Sequence, residues 1–368
     1  MADKLFPGTS TQYTRLRYVF LAPAMLFKKG ASLAGLTQSQ AVFNGDMVLA
    51  NQHENGIIGK RVRERDFVRL YWPAVRTWKL LSPVNDDLRD LTIENGLAAF
   101  QTLPRTDEEG GTLDGQRVRW DPCVLKFAEL FWKAKLSIKA KEPAWPSIYC
   151  TKAESRFIVQ RWIDLPDDPA LAAMATQVRD GHKVSATKLP WNVPFKKFPQ
   201  ARVDLDRAKA VSLICWAAQL AYNFALIRAA KTLEKGAEPH AWKPGAMDLV
   251  ETIISGHFRE WNDAYLQEQS RLEPWGSPAH WGNLGNSTSR IFLANVAGQL
   301  CRGETNLRSS QWAALVKERE GIINPAPKLT FPRHLAAWSG TAEMAKRWDF
   351  RWKASVRRFL EDAENPRG

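Results

Sequence analysis

Apolar residues recur at helical spacing along most of the chain. In residues 9–30 the pattern runs through Tyr13, Leu16, Phe20 and Ala24, at intervals of three and four residues. Similar spacing, weakest in the first of these segments, is found in residues 31–50, 74–82, 123–135, 152–180, 205–235, 246–270, 291–302, 308–321 and 341–363. Alternation at the two-residue period of a strand is scarce. The pattern predicts a mainly α protein, a multi-helix globular chain with long irregular loops and few strands.

Proline and charge divide this pattern into two predicted domains. Residues 181–204 form a basic stretch with three prolines and the aromatic residues Trp191, Phe195 and Phe198. Prolines keep such a stretch out of a regular helix. We predict an N-terminal helical domain over residues 1–180 with basic and acidic loops, a linker over 181–204, and a C-terminal helical domain over 205–368.

Membrane and secretion signals do not stand out in the pattern. No uninterrupted apolar run approaches the ~20 residues that span a bilayer. The apolar stretch over residues 18–27 is too short for a signal peptide and is followed by Lys28 and Lys29. The four cysteines, which lie far apart, argue against a disulfide scaffold and against zinc ribbons. We expect a cytoplasmic protein with reduced thiols and no membrane partner.

Charge changes this picture by indicating a class of partner. The 368 residues include 52 lysines and arginines against 39 aspartates and glutamates, a formal net charge of +13. A strongly basic chain favours polyanions. Basic stretches alternate with acidic ones, so the charge lies on folded surfaces rather than in a tail. We predict DNA or RNA as the partner, and a diffusely basic protein without a polyanionic ligand is the alternative.

Motifs that carry chemistry are largely missing from the sequence. It has no phosphate-binding P-loop, no G-x-S-x-G nucleophile turn and no H-E-x-x-H zinc motif. The acidic residues Asp164, Asp167 and Asp168 lack the partner residues of a metal-dependent nuclease and fit a solvated loop better. The sequence therefore predicts no cofactor and no metal site. A nuclease whose carboxylates come from distant segments remains an alternative, since such a site leaves no local motif.

Basic and aromatic residues are interleaved in three stretches. Cations neutralise phosphates, and exposed rings stack on unpaired bases. Trp191 is the best candidate for an exposed ring, whereas Trp348 and Trp352 share a helical stripe with Val356 and Leu360 that favours the core. The candidate phosphate contacts are Lys60, Arg61, Arg63, Arg65, Arg69, Arg76, Lys188, Lys196, Lys197, Arg351, Lys353, Arg357 and Arg358.

The N-terminal segment offers a second candidate phosphate site. Hydroxyl side chains at a helix start can cap backbone N–H groups, and a helix start facing guanidinium groups suits an anion. The residues concerned are Thr9, Ser10, Thr11, Arg15 and Arg17. A helix cap with surface arginines is an equally good interpretation of the same residues.

The same segment resembles a known bacterial family. Residues 4–18, K-L-F-P-G-T-S-T-Q-Y-T-R-L-R-Y, are similar to the F-P-G-T-S-T-x-x-T-R-x-R-Y motif of an uncharacterised domain-of-unknown-function family. Residues 55–78 resemble its G-[VI]-I-G and Y-W segment, although Tyr71-Trp72 is followed here by Pro73-Ala74 where the family has Ser-Gly. Ala221-Tyr222-Asn223 and the final Phe350-Arg351-Trp352 are similar to its central and closing helices, so the resemblance spans nearly the whole chain.

Members of that family occur beside helicases and phospholipase-D-like nucleases in prokaryotic defence islands. The resemblance implies a non-catalytic nucleic-acid-binding subunit of an anti-phage, mobile-element-defence or CRISPR-like complex, with a helicase or nuclease as a partner subunit. Two alternatives stay open: a nuclease with dispersed metal-binding carboxylates, and a scaffold subunit that binds proteins through its tryptophans.

Overall fold

A computed structural model describes residues 1–27, 31–60, 62, 64–101, 117–136, 147–195, 197–235, 242–243, 245–282, 286–338 and 345–367. Within these residues the chain forms fourteen α-helices and one two-stranded sheet, which confirms a mainly α protein. It divides into two compact units: unit 1 is Met1–Leu205 with Phe350–Gly368, and unit 2 is Asp206–Asp349. The stretch that we treated as a linker, residues 181–204, belongs to unit 1.

Unit 1 is built from short helices and a small antiparallel sheet. In the sheet, Leu81 lies opposite Trp120. The elements are α1 (Ala2–Leu5), α2 (Tyr18–Leu26), α3 (Leu33–Ala50), α4 (Phe67–Thr77), β1 (Leu81–Pro83), α5 (Ile93–Gln101), β2 (Val118–Trp120), α6 (Pro122–Leu136), α7 (Lys152–Ile163), α8 (Ala170–Arg179), the start of α9 (Pro199–Lys235) and, after a π-helical turn at Trp352–Val356, α14 (Arg357–Glu364).

Helix α2 is the centre of the unit 1 core. Every residue from Tyr18 to Leu26 is buried, and the helix packs against α4 and α6. A helix that is apolar on all sides has to be covered on all sides. Aromatic rings supply much of that cover, with Tyr18 at 5.3 Å from Phe67 and Phe20 at 5.4 Å from Phe127 between ring centroids.

Polar caps explain where several helices begin. The Asp66 carboxylate accepts a hydrogen bond from the Arg69 N–H, so α4 begins at Phe67, earlier than the apolar spacing predicts. Thr151 and Glu154 form a reciprocal capping box at the start of α7. Residues 152–180, expected as one helical stretch, are divided into α7 and α8 by a turn in which Asp167 and Asp168 have positive φ.

Unit 2 consists of helices joined by irregular segments. The Glu320 carboxylate organises one of these segments, because it accepts from the Tyr222 hydroxyl and from the backbone N–H groups of Lys328 and Leu329. The helices are the main part of α9, α10 (Ala246–Glu268), α11 (Ser287–Cys301), α12 (Ser310–Ile323) and α13 (Pro332–Ala336).

Helix α9 is the longest element of the described chain. By length and composition its Pro199–Glu234 portion is apolar enough to cross a membrane, contrary to our reading of the sequence. In the protein, however, 89% of the most apolar window of this helix is buried. That burial is the property expected of a central core helix.

Tryptophans form the core of both units. Thirteen of those described are buried, and at least eight of these donate the indole N–H to a main-chain carbonyl, as does the half-buried Trp132. Trp191 is 2% exposed, so the expectation of an exposed ring there is wrong. Trp352 is buried as its helical stripe predicts, whereas Trp348 is 40% exposed and departs from that stripe.

Two glycines of unit 1, Gly8 and Gly45, provide a test of how closely the N-terminal turn is packed. Gly8 has a φ of +76°, and a Cβ there would lie 2.6 Å from Nε1 of Trp78, whose N–H donates to Pro7 O. We expect Gly8→Ala to lower the free energy of unfolding by roughly 1–3 kcal/mol. Gly45 lies inside α3 with open space around its Cβ position, so Gly45→Ala should raise it by roughly 0.5–1 kcal/mol.

Urea denaturation of the two variants provides the measurement. Both residues belong to unit 1 and both changes add the same methyl group, so each variant is the other's control. Equal midpoints for the two variants would contradict the close approach of Gly8 to Trp78.

Candidate nucleic-acid interface

The hydroxyl residues of the N-terminal motif form a turn and cap no helix. The Thr9 hydroxyl donates to Phe6 O at 2.7 Å, the Ser10 hydroxyl accepts from the Gln12 N–H, and Thr11 is exposed. Helix α2 begins only at Tyr18, and its N-cap residue provides no side-chain cap. The expectation that residues 9–11 cap a helix is therefore wrong, because the chain turns over Gly8 and stays irregular to residue 17.

Arg15 lies in the interior of unit 1. Its Nη2 is 2.7 Å from Oδ1 of Asp362, and Oδ2 of Asp362 accepts from the Leu16 N–H. The Tyr71 hydroxyl donates to Arg15 O and accepts from the Arg15 N–H. Burial raises the pKa of Tyr71 to about 12, so this hydroxyl keeps its proton at neutral pH. The motif thereby joins α14 and α4.

Arg17 is also held in a buried ion pair. Its Nε lies 3.2 Å from Oε2 of Glu154, and the guanidinium also donates to Ser147 O. Glu154 at the same time accepts from the Thr151 N–H in the capping box of α7. Since Arg15 and Arg17 are both neutralised by buried carboxylates, neither faces an open phosphate site or the surface, contrary to both interpretations of the sequence.

Two guanidinium groups, those of Arg15 and Arg367, lie against the ring of Tyr149. Their Cζ atoms are 4.3 Å and 3.9 Å from the centroid of that ring. The Tyr149 hydroxyl donates to Oε2 of Glu54 at 2.5 Å, which anchors the hydroxyl end of the ring.

Two more cations, Lys60 and Arg358, lie at the loop before α4. Gly56 has a φ of +84°, and a Cβ there would lie 3.1 Å from both Cδ of Arg15 and Nη1 of Arg358. Nζ of Lys60 donates to Glu54 O at 3.0 Å. We call Glu54, Lys60, Tyr149, Arg358 and Arg367, with the buried pair Arg15–Asp362 behind them, the tyrosine site.

A second group of predicted cations meets around the π-helical turn. The Trp352 indole N–H donates to Thr187 O, which places the exposed Lys188 beside that turn. Nε of Arg357 donates to Ser185 O at 2.8 Å. Arg351, with a φ of +76°, is paired with Asp3 at 2.7 Å and donates to Thr9 O. Lys353 is exposed on the same turn.

The remaining predicted cations are dispersed. Arg65 contacts Gln12 at 3.4 Å, and Arg69 is paired with Asp66 at 3.3 Å on the surface. Lys197 is exposed. Arg61, Arg63 and Lys196 lie outside the described residues. The basic runs of the sequence are therefore not continuous stripes, and only part of each run contributes to the two groups above.

Arg76 lines a cleft of unit 1 that has a volume of about 930 Å³. The cleft carries charges of both signs. Lys4 is paired with Asp204 at 2.8 Å, and Asp3, Asp86 and Asp167 also line the cleft. A cavity of this size suits a small molecule better than a strand of nucleic acid.

In the described part of the chain, no group of three or more His, Cys, Asp or Glu residues is placed to hold a metal ion.

Asp362, Glu54, Tyr149 and Arg367 are functional candidates that sequence analysis missed. One signal was present: Asp362 lies between Phe359 and Ala363 on a helix whose apolar stripe is buried, and a carboxylate there needs a partner. Nothing in the sequence connects the other three, because 95 residues separate Tyr149 from Glu54.

Comparison of the chain with models of protein families, with curated proteins and with solved structures finds no match.

The buried carboxyl predicts a pH dependence of stability. Burial raises the pKa of Asp362 from 3.8 to about 6, and Arg15 and the Leu16 N–H offset only part of that rise. The native state therefore holds this proton more tightly than the unfolded chain, and the resulting stability is lost as the pH rises through about 6. Relative to Asp362→Asn, the wild type should lose on the order of 3 kcal/mol of unfolding free energy between about pH 4 and 7.

Urea titrations across this pH range give the free energies of unfolding. Glu94→Gln is the control, because Glu94 is exposed on α5 of unit 1 and is not among the charges that shift the pKa of Asp362, so its removal should leave the pH profile nearly unchanged. Parallel profiles for the wild type and Asp362→Asn would contradict the raised pKa.

Proposed function

We propose that unit 1 binds nucleic acid through surface cations around its C-terminal helix, as a non-catalytic subunit of a prokaryotic defence complex. One observation carries the proposal: four cations from three distant segments lie around residues 352–367 and have no carboxylate within ion-pair distance among the described residues. They are the exposed Lys60, Lys188 and Arg357 and the half-buried Arg358, which interacts with Asp362 at longer range.

The type of partner these cations contact supports a polyanionic ligand. Lys60 and Arg357 donate to the main-chain carbonyls of Glu54 and Ser185, which orient the side chains without cancelling their charge. Arg15 and Arg17, in contrast, are compensated by buried carboxylates. Oriented and uncompensated cations attract phosphates and release the counterions that phosphates carry.

Membership in a defence complex has a different support. It comes from the resemblance of residues 4–18 and 55–78 to the family described above, whose members occur beside helicases and nucleases. A helicase or nuclease subunit is accordingly the proposed protein partner, and DNA or RNA the proposed ligand. In the structure those two segments contribute Arg15 and Lys60 to the tyrosine site, and Gly56 lies against Arg15 and Arg358.

Fluorescence anisotropy with single-stranded and double-stranded DNA and RNA, at two salt concentrations, tests the proposal. We expect binding at low salt that weakens with salt. The variant Lys60→Gln/Lys188→Gln/Arg357→Gln/Arg358→Gln should reduce the slope of log affinity against log salt by about 3, because each lost phosphate contact removes ~0.7–0.9.

A matched variant of unit 2 controls for net charge. Lys243→Gln/Arg259→Gln/Lys317→Gln/Arg333→Gln removes the same charge from exposed positions and should leave the slope nearly unchanged. No binding by the wild type at low salt, or equal losses in the two variants, would overturn the proposal.

A further inference from the structure

We propose that the Tyr149 ring is a stacking platform for an unpaired base, which replaces the exposed Arg367 guanidinium on the ring. This inference rests on the proposed function and narrows its ligand to single-stranded nucleic acid or to a base that has left its duplex. A ring that stacks on a base needs an accessible face, and inside a duplex both faces of every base are already covered.

The two guanidinium groups that lie against the ring differ in exposure. The Arg15 side chain is 8% exposed and is held by Asp362 at 2.7 Å. The Arg367 side chain is 63% exposed, and its nearest carboxylate oxygen, on Glu54, is 3.8 Å away. An exposed pair at that distance contributes little to stability, so the Arg367 guanidinium is the exchangeable one.

Arg367 stays close to the ring when its side chain leaves it. Its backbone N–H donates to Cys150 O at 2.9 Å, next to Tyr149 in sequence. A guanidinium displaced by a base therefore remains within reach of the phosphate on that nucleotide. The exchange replaces a cation–π contact with a base–ring contact and an Arg–phosphate contact.

The ring is held in place before any ligand arrives. The hydrogen bond from its hydroxyl to Glu54 anchors the end of the ring, and the buried Arg15 packs against the ring. A rigid platform loses little conformational entropy when a base binds. The tyrosine site also provides phosphate contacts beside the ring, because Arg358 lies against Gly56 and Lys60 is bonded to Glu54 O.

Charge around the ring favours an anionic strand. Within the contacts described, four cations (Arg15, Lys60, Arg358 and Arg367) meet two carboxylates, Asp362 and Glu54. Glu54 faces the ring edge through its bond with the hydroxyl, so its charge lies beside the stacking face and not over it. The large rings that the sequence suggested for stacking, Trp191 and Trp352, are buried.

Substitution of the ring separates stacking from charge. Tyr149→Leu should weaken binding of a short single-stranded oligonucleotide by about 5- to 150-fold, the equivalent of the ~1–3 kcal/mol of one base–ring contact. Binding of a duplex of the same length should not change. Tyr149→Phe keeps the ring and its contact with Arg15 but loses the hydroxyl bond to Glu54, so it should retain most of the single-strand affinity and serves as the matched control.

A cross-linking measurement on the wild-type protein needs no variant. A single strand substituted with bromouracil and irradiated in the complex should cross-link to Tyr149, as read from the modified peptide by mass spectrometry. Cross-links confined to other residues would overturn the inference even if Tyr149→Leu failed to fold.

The outcomes also distinguish this inference from the proposed function. If Tyr149→Leu binds single strands as tightly as the wild type while the quadruple glutamine variant of unit 1 binds weakly, the stacking platform is rejected and nucleic-acid binding stands. Equal losses for single strands and duplexes would likewise reject a base-specific role for the ring. If the wild type binds no nucleic acid at low salt, the proposed function is rejected, and the stacking platform is rejected with it.

Discussion

The hydrogen bond from a buried indole N–H to a main-chain carbonyl is the interaction on which both units depend. A tryptophan contributes a large apolar surface to the core but carries one donor that is costly to bury without a partner. Here the acceptors lie mostly in irregular segments, such as Pro7, Leu91, Thr187, Glu304 and Ala345. Several of these bonds attach an irregular segment to a helix, as from Trp72 in α4 to Leu91 and from Trp216 in α9 to Ala345, so a chain of short helices and long connections acquires a defined path. The tryptophan surplus is thus explained by the fold, which weakens it as a signal of base stacking.

Burial also divides the basic residues of unit 1 into two groups. Arg15 and Arg17 meet carboxylates that have no access to water, and a buried cation without such a partner would be strongly destabilising. Lys60 and Arg357 donate to main-chain carbonyls at the surface, and these neutral acceptors do not offset the positive charge. The role of a cation therefore follows from its partner and its burial, and neither can be read from its place in a basic run.

Sequence pattern predicted the class of fold and most helices because helical spacing is a local property. It identified α3, α6, α10, α11 and α12 to within a few residues of their ends. It missed α5, which lies in a turn-rich acidic region, and the burial of Trp191, which depends on what packs around a proline-rich segment. The tyrosine site could not be predicted, since Glu54, Tyr149 and Arg367 share no local pattern and meet only through long-range packing.

Unit 1 contains both early and late parts of the chain, and this affects how it is made. The bond between Leu16 and Asp362 joins residues that are 346 positions apart. At elongation rates of ~5–20 residues per second, the ribosome needs roughly 17–70 s to travel from one to the other. During that time α7 and α8 lack their contacts with α14, and the rings of Tyr13 and Tyr71 lack Phe359. Unit 2 is synthesised in the interval and is free to fold first. Newly made unit 1 therefore exposes part of its apolar core until its last segment has been synthesised.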